Sequence, residues 1–333
     1  MATICLHHVN ASMQGIRQRG FSEKLLLERA GINPTNLSFP EQRIHTDQVA
    51  RLFALVQQQL DDEFMGFTPS PCRHGLFQLM CDLVRNCTTL GELLRQAVRF
   101  YSLVSPDITM SLESRQGRAI FTLVLHSPEY DPSYFLTEFL LVIWHRFPSW
   151  YIGESIQLIE TRFSFAEPNH LSELQIMFPG KLNFSKSNNQ LIFSAHYLDT
   201  PLVRSSFELD EYLSNAPADI MTIPGTPGTL DAQIERLVLQ KNQHQLVFPA
   251  IETIARELGL SVQTLHRRLK QMGTHYQKIK DDLRRETAIR KLVKERFSVE
   301  RVAEFVGYSE SRSFTRAFKQ WTGLSPRQYL KQH

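Results

Sequence analysis

A chain of 333 residues is about twice the usual single-domain length, so two domains are the first expectation. With 42% hydrophobic and 21% charged residues, it has neither the poverty of a disordered chain nor the bias of a fibre. The longest apolar run, Phe139 to Trp144, is six residues against the roughly 20 a bilayer demands, and no charged-then-apolar leader follows Met1. Neither a membrane span nor a secretory route is expected. The formal net charge of +3 divides unevenly. Residues 231–333 hold 20 Lys and Arg against 11 Asp and Glu (net +9), while the other 230 hold 17 against 23 (net −6). A basic module beside an acidic one predicts a polyanionic partner for the basic part.

In chain order, Cys5, Cys72, Cys81 and Cys87 all fall within the first 90 residues without a CxxC pair, which fits a reducing cytoplasm rather than a zinc finger. Asp47 to Leu60 sets Val49, Leu52, Phe53, Val56 and Leu60 on one helical face. Thr89-x-x-Glu92 is a capping-box signature opening a helix through Phe100. Strand-like alternation follows at Ile108, Met110 and Leu112, then a turn around Gly117, then Phe121, Leu123 and Leu125. A helix is predicted over Ser133–Phe147, with strands over Ser155–Phe165 and Gln190–Ala195. Residues 1–213 therefore read as an α+β sensor or dimerisation domain, helices plus an antiparallel sheet.

No glycine-rich phosphate loop, HExxH or nucleophile elbow occurs, so neither an enzyme nor a cofactor is expected. Cys81 and Cys87, six apart near His74, read as small buried hydrophobes rather than metal ligands, and no metal is expected. A ligand pocket needs an apolar lining with a few convergent polar groups. Tyr134 to Tyr151 offers one, with candidate ligand-binding residues Phe135, Glu138, Trp144, His145 and Arg146, flanked by Phe139 and Phe147. The competing reading has those aromatics packed on the sheet and the polar residues facing water.

Residues 214–228 hold three prolines and two glycines in 15 positions, a composition that resists helix and strand and predicts the interdomain linker. Residues 229–333 then contain a duplicated helical unit. Ile251, Ile254, Ala255 and Leu258 form a stripe that returns 48 positions later as Val299, Val302, Ala303 and Val306. Each stripe meets a glycine (Gly259, Gly307), one apolar residue (Leu260, Tyr308) and a serine (Ser261, Ser309) suited to capping a second helix. In those second helices the offset becomes 49, from one extra residue in the turn: Leu265 matches Phe314 and Leu269 matches Phe318 as buried positions, Arg267 matches Arg316 and Lys270 matches Lys319 as outward ones. This is the plan of two helix-turn-helix units in an all-α domain. Tyr276 to Val293 reads as one connecting helix of about 27 Å, whose Arg284, Arg285 and Arg290 either reach phosphates or pair with Asp281, Asp282 and Glu286. The aromatics Phe305, Tyr308, Phe314, Phe318, Trp321 and Tyr329 are predicted to be core.

The segment Pro249–Leu330, with IARELGLSVQTLHRRLK and then VAEFVGYSESRSFTRAFKQWTGLSPRQYL, resembles the DNA-binding domain of the AraC/XylS family of bacterial transcription regulators. The stretch from GINPTNLSFPEQRI to NFSKSNNQLIFSAHYLDTPL resembles the arabinose-binding-like N-terminal domain of one branch of that family. The resemblance implies base-reading positions at Val262, Gln263, Thr264, His266 and Arg267 in the first unit and Ser311, Arg312, Ser313 and Arg316 in the second, with Lys270 and Lys319 nearer the phosphates. Gln can bond adenine in two places and Arg guanine likewise, which makes Gln263, Arg267 and Arg312 the expected specifiers. The implied partners are double-stranded promoter DNA, RNA polymerase, a small-molecule effector and a second copy of the chain. Two alternatives stand beside a ligand-controlled regulator: control by a protein partner, and an alkyl-accepting DNA-repair protein, which needs an activated thiolate.

Overall fold

The computed structural model describes residues 3–35, 43–204, 206–214, 230–240, 245–271 and 274–332. Two compact units emerge, one built on Thr3–Thr200 and the other on Pro201–Glu211 together with the helices from Leu230 onward. Of the expected linker, residues 215–228 lie outside the described residues. The segment 201–211, expected at the end of the first domain, packs with the helices of the second unit.

The first unit is α+β. Strands β1 (Thr3–Cys5) and β2 (Arg43–His45) pair antiparallel beside helices α1 (Leu6–Ser12), α2 (Gln14–Gln18), α3 (Glu23–Ala30) and α4 (Thr46–Leu60). In α4, Val49, Leu52, Phe53, Val56 and Leu60 are all buried, as their spacing predicts. Next come α5 (Leu76–Val84) and α6 (Leu90–Val104). The Thr89 hydroxyl accepts from the Glu92 amide at 3.3 Å, but the Glu92 carboxylate reaches back to the amide and hydroxyl of Thr88 rather than to Thr89, a one-residue variant of the capping box. The helix outruns its predicted end at Phe100 by four residues.

Five strands form the main sheet: β3 (Ile108–Arg115), β4 (Arg118–Leu125), β5 (Leu158–Arg162), β6 (Lys181–Asn183) and β7 (Asn189–Ser194), in the order β3-β4-β7-β5-β6. Arg115 pairs with Arg118 across a two-residue turn whose Gln116 and Gly117 both have positive φ (51° and 73°). That geometry joins strands with the right-handed twist the sheet needs. All pairings are antiparallel except β5 with β6, so the expected antiparallel sheet is a mixed one. Helix α7 (Phe135–Tyr151) packs on β4 and β7, and α8 (Leu171–Met177) precedes β6. α7 starts two residues later than predicted because Tyr134, at its cap position, is left-handed (φ 61°); Asp131 supports the first turn, its carboxylate accepting from the amides of Leu136 (3.0 Å) and Thr137 (2.9 Å). It ends four residues later, running through Pro148.

The second unit is all helical: α9 (Ser206–Ser214), α10 (Leu230–Gln240), α11 (Ile251–Glu257), α12 (Val262–Gln271), α13 (Tyr276–Val293), α14 (Val299–Phe305), α15 (Ser311–Thr322) and α16 (Pro326–Gln332). Leu265, Leu269, Val302, Val306, Phe314, Phe318 and Tyr329 share one core cluster, against which Phe305, Tyr308 and Trp321 pack partly buried.

Candidate nucleic-acid interface

The two repeats close in the way their glycines require. Gly259 (φ 65°) and Gly307 (φ 87°) end the first helix of each unit in the left-handed region. Ser261 then caps α12, its hydroxyl accepting from the Thr264 amide at 3.1 Å. The equivalent expectation for Ser309 does not hold: Glu310 occupies the cap position of α15 and makes no side-chain capping bond. The inserted residue that changes the repeat offset from 48 to 49 moves the serine one place outside the cap. At the far end, Gly323 (φ 77°) stops α15, and Ser325 and Gln328 form a reciprocal box over α16, with Pro326 at its first position.

In α12, Leu265 and Leu269 are fully buried, while Gln263, His266, Arg267 and Lys270 are exposed and Val262 and Thr264 half-buried. In α15, Phe314 and Phe318 are fully buried, Arg312, Ser313, Arg316 and Lys319 are exposed, and Ser311 is half-buried. Burying two large apolar side chains on one face of each helix fixes its rotation, and that rotation turns the polar face outward. Thr264 also bonds the Ser261 hydroxyl at 2.8 Å, which ties it to the cap.

The connecting helix α13 resolves the choice posed by its arginines in favour of internal pairing. Arg284 donates to the Val306 carbonyl (3.2 Å) and Asp281 (3.3 Å) and lies over the Phe248 ring at 4.6 Å. Arg285 pairs with Glu286 and Asp282, and Arg290 pairs with Glu295. Glu286 is gripped from the 201–211 segment, where the buried Arg204 places two nitrogens at 2.7 Å from its two oxygens and a third contact at 3.3 Å on Glu208. Burial opposes the Arg204 charge, and the two carboxylates more than offset it. The Tyr329 hydroxyl lies between the Val203 carbonyl and Glu208 Oε2 (2.9 Å). Sequence reading missed Arg204, whose partner stands 82 positions away.

In the first unit, α7 spreads the candidate ligand-binding residues over different surroundings. Phe135 sits among Phe53, Phe67 and Phe139, and Trp144 packs on Tyr101 and Phe121. His145 is buried and its Nε2 donates to the Ile156 carbonyl at 2.8 Å; burial, helped by Arg146, lowers it to about 4. Arg146 is half-buried, and burial holds its guanidinium below the usual value, at about 10. Glu138 is buried with one oxygen 2.8 Å from His8 and the other 2.9 Å from His170. Burial works against charge on His8, but Cys5 and Glu138 raise it to about 10. Phe135 and Trp144 thus sit in aromatic clusters, and Glu138 in a histidine cluster. An open concavity of about 630 Å³ does exist on the sheet, lined by Arg115, Gln116, Arg118, Ile120, Arg162 and Ile192. Burial, then neighbouring carboxylates, push the thiols of Cys72 and Cys81 well above the ordinary range, the opposite of an alkyl-accepting thiolate. No helix among the described residues is long and apolar enough to cross a membrane.

An α+β unit joined in one chain to a basic domain of two helix-turn-helix units is the architecture of a DNA-binding transcription regulator. Residues 20–202 match the N-terminal arabinose-binding domain of AraC transcription regulators, and residues 254–332 match a helix-turn-helix domain. The chain belongs to the AraC family of transcription regulators. It is 24% identical to the ornithine utilization regulator of Pseudomonas aeruginosa over 97% of this chain and 94% of that one. Over 82 residues, 25% of each chain, it is 38% identical to the HTH-type transcriptional regulator VqsM of the same species. The solved structure of the Pseudomonas aeruginosa regulator CdpR aligns over 93% of this chain and 98% of its own, at 20% identity and a TM-score of 0.32.

Proposed function

We propose that the protein reads promoter DNA with α12 and α15, each lying in a major groove, and that a small molecule bound by the first unit, acting through a homodimer, adjusts that reading and the recruitment of RNA polymerase. The observation carrying the DNA part is the matched polarity of the two helices: fully buried Leu265, Leu269, Phe314 and Phe318 on one side, exposed Gln263, Arg267, Arg312 and Arg316 on the other. In this reading Gln263, Arg267 and Arg312 specify bases, Val262, Thr264, His266, Ser311, Ser313 and Arg316 complete the base-facing set, and Lys270 and Lys319 hold phosphates. A ligand shifts such a regulator only if it binds one arrangement more tightly than another. The acidic balance of the first unit keeps it from competing for DNA, which leaves its surface for the effector, a second copy or a protein partner.

Footprinting on the regulated promoter tests the reading. Two readers predict a protected site of about two helical turns per chain. Affinity should fall steeply between low and physiological salt, because each phosphate contact releases counterions. A flat salt response, or protection confined to one groove, overturns it. A thermal-shift screen of small metabolites against the full chain tests the effector, with no stabilisation by any of them favouring a protein partner.

A further inference from the structure

We propose that His7, Glu138 and His170 form a binding site for a divalent transition-metal ion of the zinc class. Three stretches far apart in sequence meet there: the start of α1, the first turn of α7 and the residue preceding α8. His170 Nε2 lies 2.9 Å from Glu138 Oε1, and the His7 and His170 rings stack with centroids 3.8 Å apart and planes 20° from parallel. One ligand atom from each of the three lies within 4.8 Å of the other two. A tetrahedral zinc ion with bonds of about 2.0–2.2 Å holds its ligand atoms about 3.3–3.6 Å apart. Capture therefore needs a modest approach of one side chain. His7 is the one placed to make it, being half-buried with its Nε2 at 3.2 Å from the Ser133 carbonyl.

The donor set selects the ion. Two imidazoles and one carboxylate suit zinc and its transition-metal neighbours, while calcium and magnesium prefer oxygen alone. Support for the carboxylate is already in place: His8 Nε2 bonds the second oxygen of Glu138 at 2.8 Å, and Cys5 Sγ stands 3.3 Å from His8 Nδ1. His8 is thus a positioning residue, the kind of outer partner that fixes a ligating carboxylate. The adjacent trio of Cys5, His8 and Glu173 also brings metal-binding groups together, but its carboxylate is engaged by Arg43 at 2.8 and 3.0 Å. On binding, the ion takes the place of the hydrogen between His170 Nε2 and Glu138 Oε1, and the ligating imidazole carries its hydrogen on Nδ1. All these residues lie in the first unit, so the site does not depend on how the second reads DNA. It also departs from the sequence expectation of no metal, because ligands at positions 7, 138 and 170 show no motif spacing.

The test uses tag-free full-length protein stripped with a chelator, then titrated with Zn²⁺, with Co²⁺ as a spectroscopic probe. One ion per chain and a visible Co²⁺ absorption are expected. His7→Ala and His170→Ala should each weaken Zn²⁺ binding by about tenfold or more, while His126→Ala, a remote exposed histidine bonded to Thr109, should leave it unchanged. Should His170→Ala fail to fold, His7→Ala decides the matter. Less than a fifth of an ion per chain, or affinity indifferent to the His7 substitution, overturns the proposal. Loss of binding in Cys5→Ser as complete as in His170→Ala overturns it too, by moving the ion to the neighbouring trio.

Discussion

Lys319 and Arg312 are both exposed on α15, yet they are expected to fail differently. Arg312→Ala should cost about 1–3 kcal/mol of binding and relax preference at one base pair, whereas Lys319→Ala should weaken all sequences alike. Competition binding against a library of single-base operator variants separates the two patterns. Asp131 illustrates a different residue-scale effect. Burial raises its carboxyl from 3.8 to about 6, although it accepts from two amides in the first turn of α7. The folded state therefore holds the proton more tightly than the unfolded one, and this contribution to stability is full below pH 4, then declines as pH rises through about 6. Its size is on the order of 3 kcal/mol. In Asp131→Asn that pH-dependent piece should vanish, alongside about 1 kcal/mol for the backbone amide that loses its acceptor where the side-chain nitrogen replaces an oxygen. Denaturant unfolding of both proteins at pH 4.5 and 7.5 checks this, and a pH-independent difference between them would contradict it.

At the scale of elements, the two turn glycines share a conformation but not their surroundings. A Cβ on Gly259 meets nothing within 4 Å, while one on Gly307 stands 3.3 Å from the Leu246 carbonyl. Gly259→Ala should cost about 1–2 kcal/mol of backbone strain, and Gly307→Ala measurably more, because the Leu246 backbone must also give way. Thermal unfolding of the two variants ranks them. Legibility in the sequence divides along the same line between local and distant. Amphipathic α4, the β3–β4 hairpin and the paired helix-turn-helix units announce themselves because their periods and turn residues lie within a dozen residues of one another. The three-residue strands β1, β2 and β6 are too short to show alternation, and Ser309 looked like a cap until one inserted residue shifted the register. Outward positions on α12 and α15 were readable because the buried positions beside them fix the helix face. The histidine cluster was not, since its members come from α1, α7 and the loop before α8.

For the whole molecule, the segment 201–211 changes where the helical unit begins. Arg204 is buried between Glu286 and Glu208, and Tyr329 closes over Val203 and Glu208. Arg204→Ala leaves the Glu286 carboxylate with Arg285 alone, at 3.4 Å, and should cost about 3 kcal/mol, whereas Arg204→Met combined with Glu286→Leu should recover part of it. Hydrogen exchange across α13 in the full chain reads that loss where it occurs; unchanged protection in Arg204→Ala would show the pair to be idle. The same attachment governs how the chain tolerates recombination. A hybrid regulator that borrows another protein's sensor keeps Arg204 beside its acids when the splice falls before residue 201. A splice in the proline-rich stretch after Ser214 hands Glu286 a neighbour selected against a different helix, and such hybrids should be insoluble or blind to their operator more often than those joined upstream.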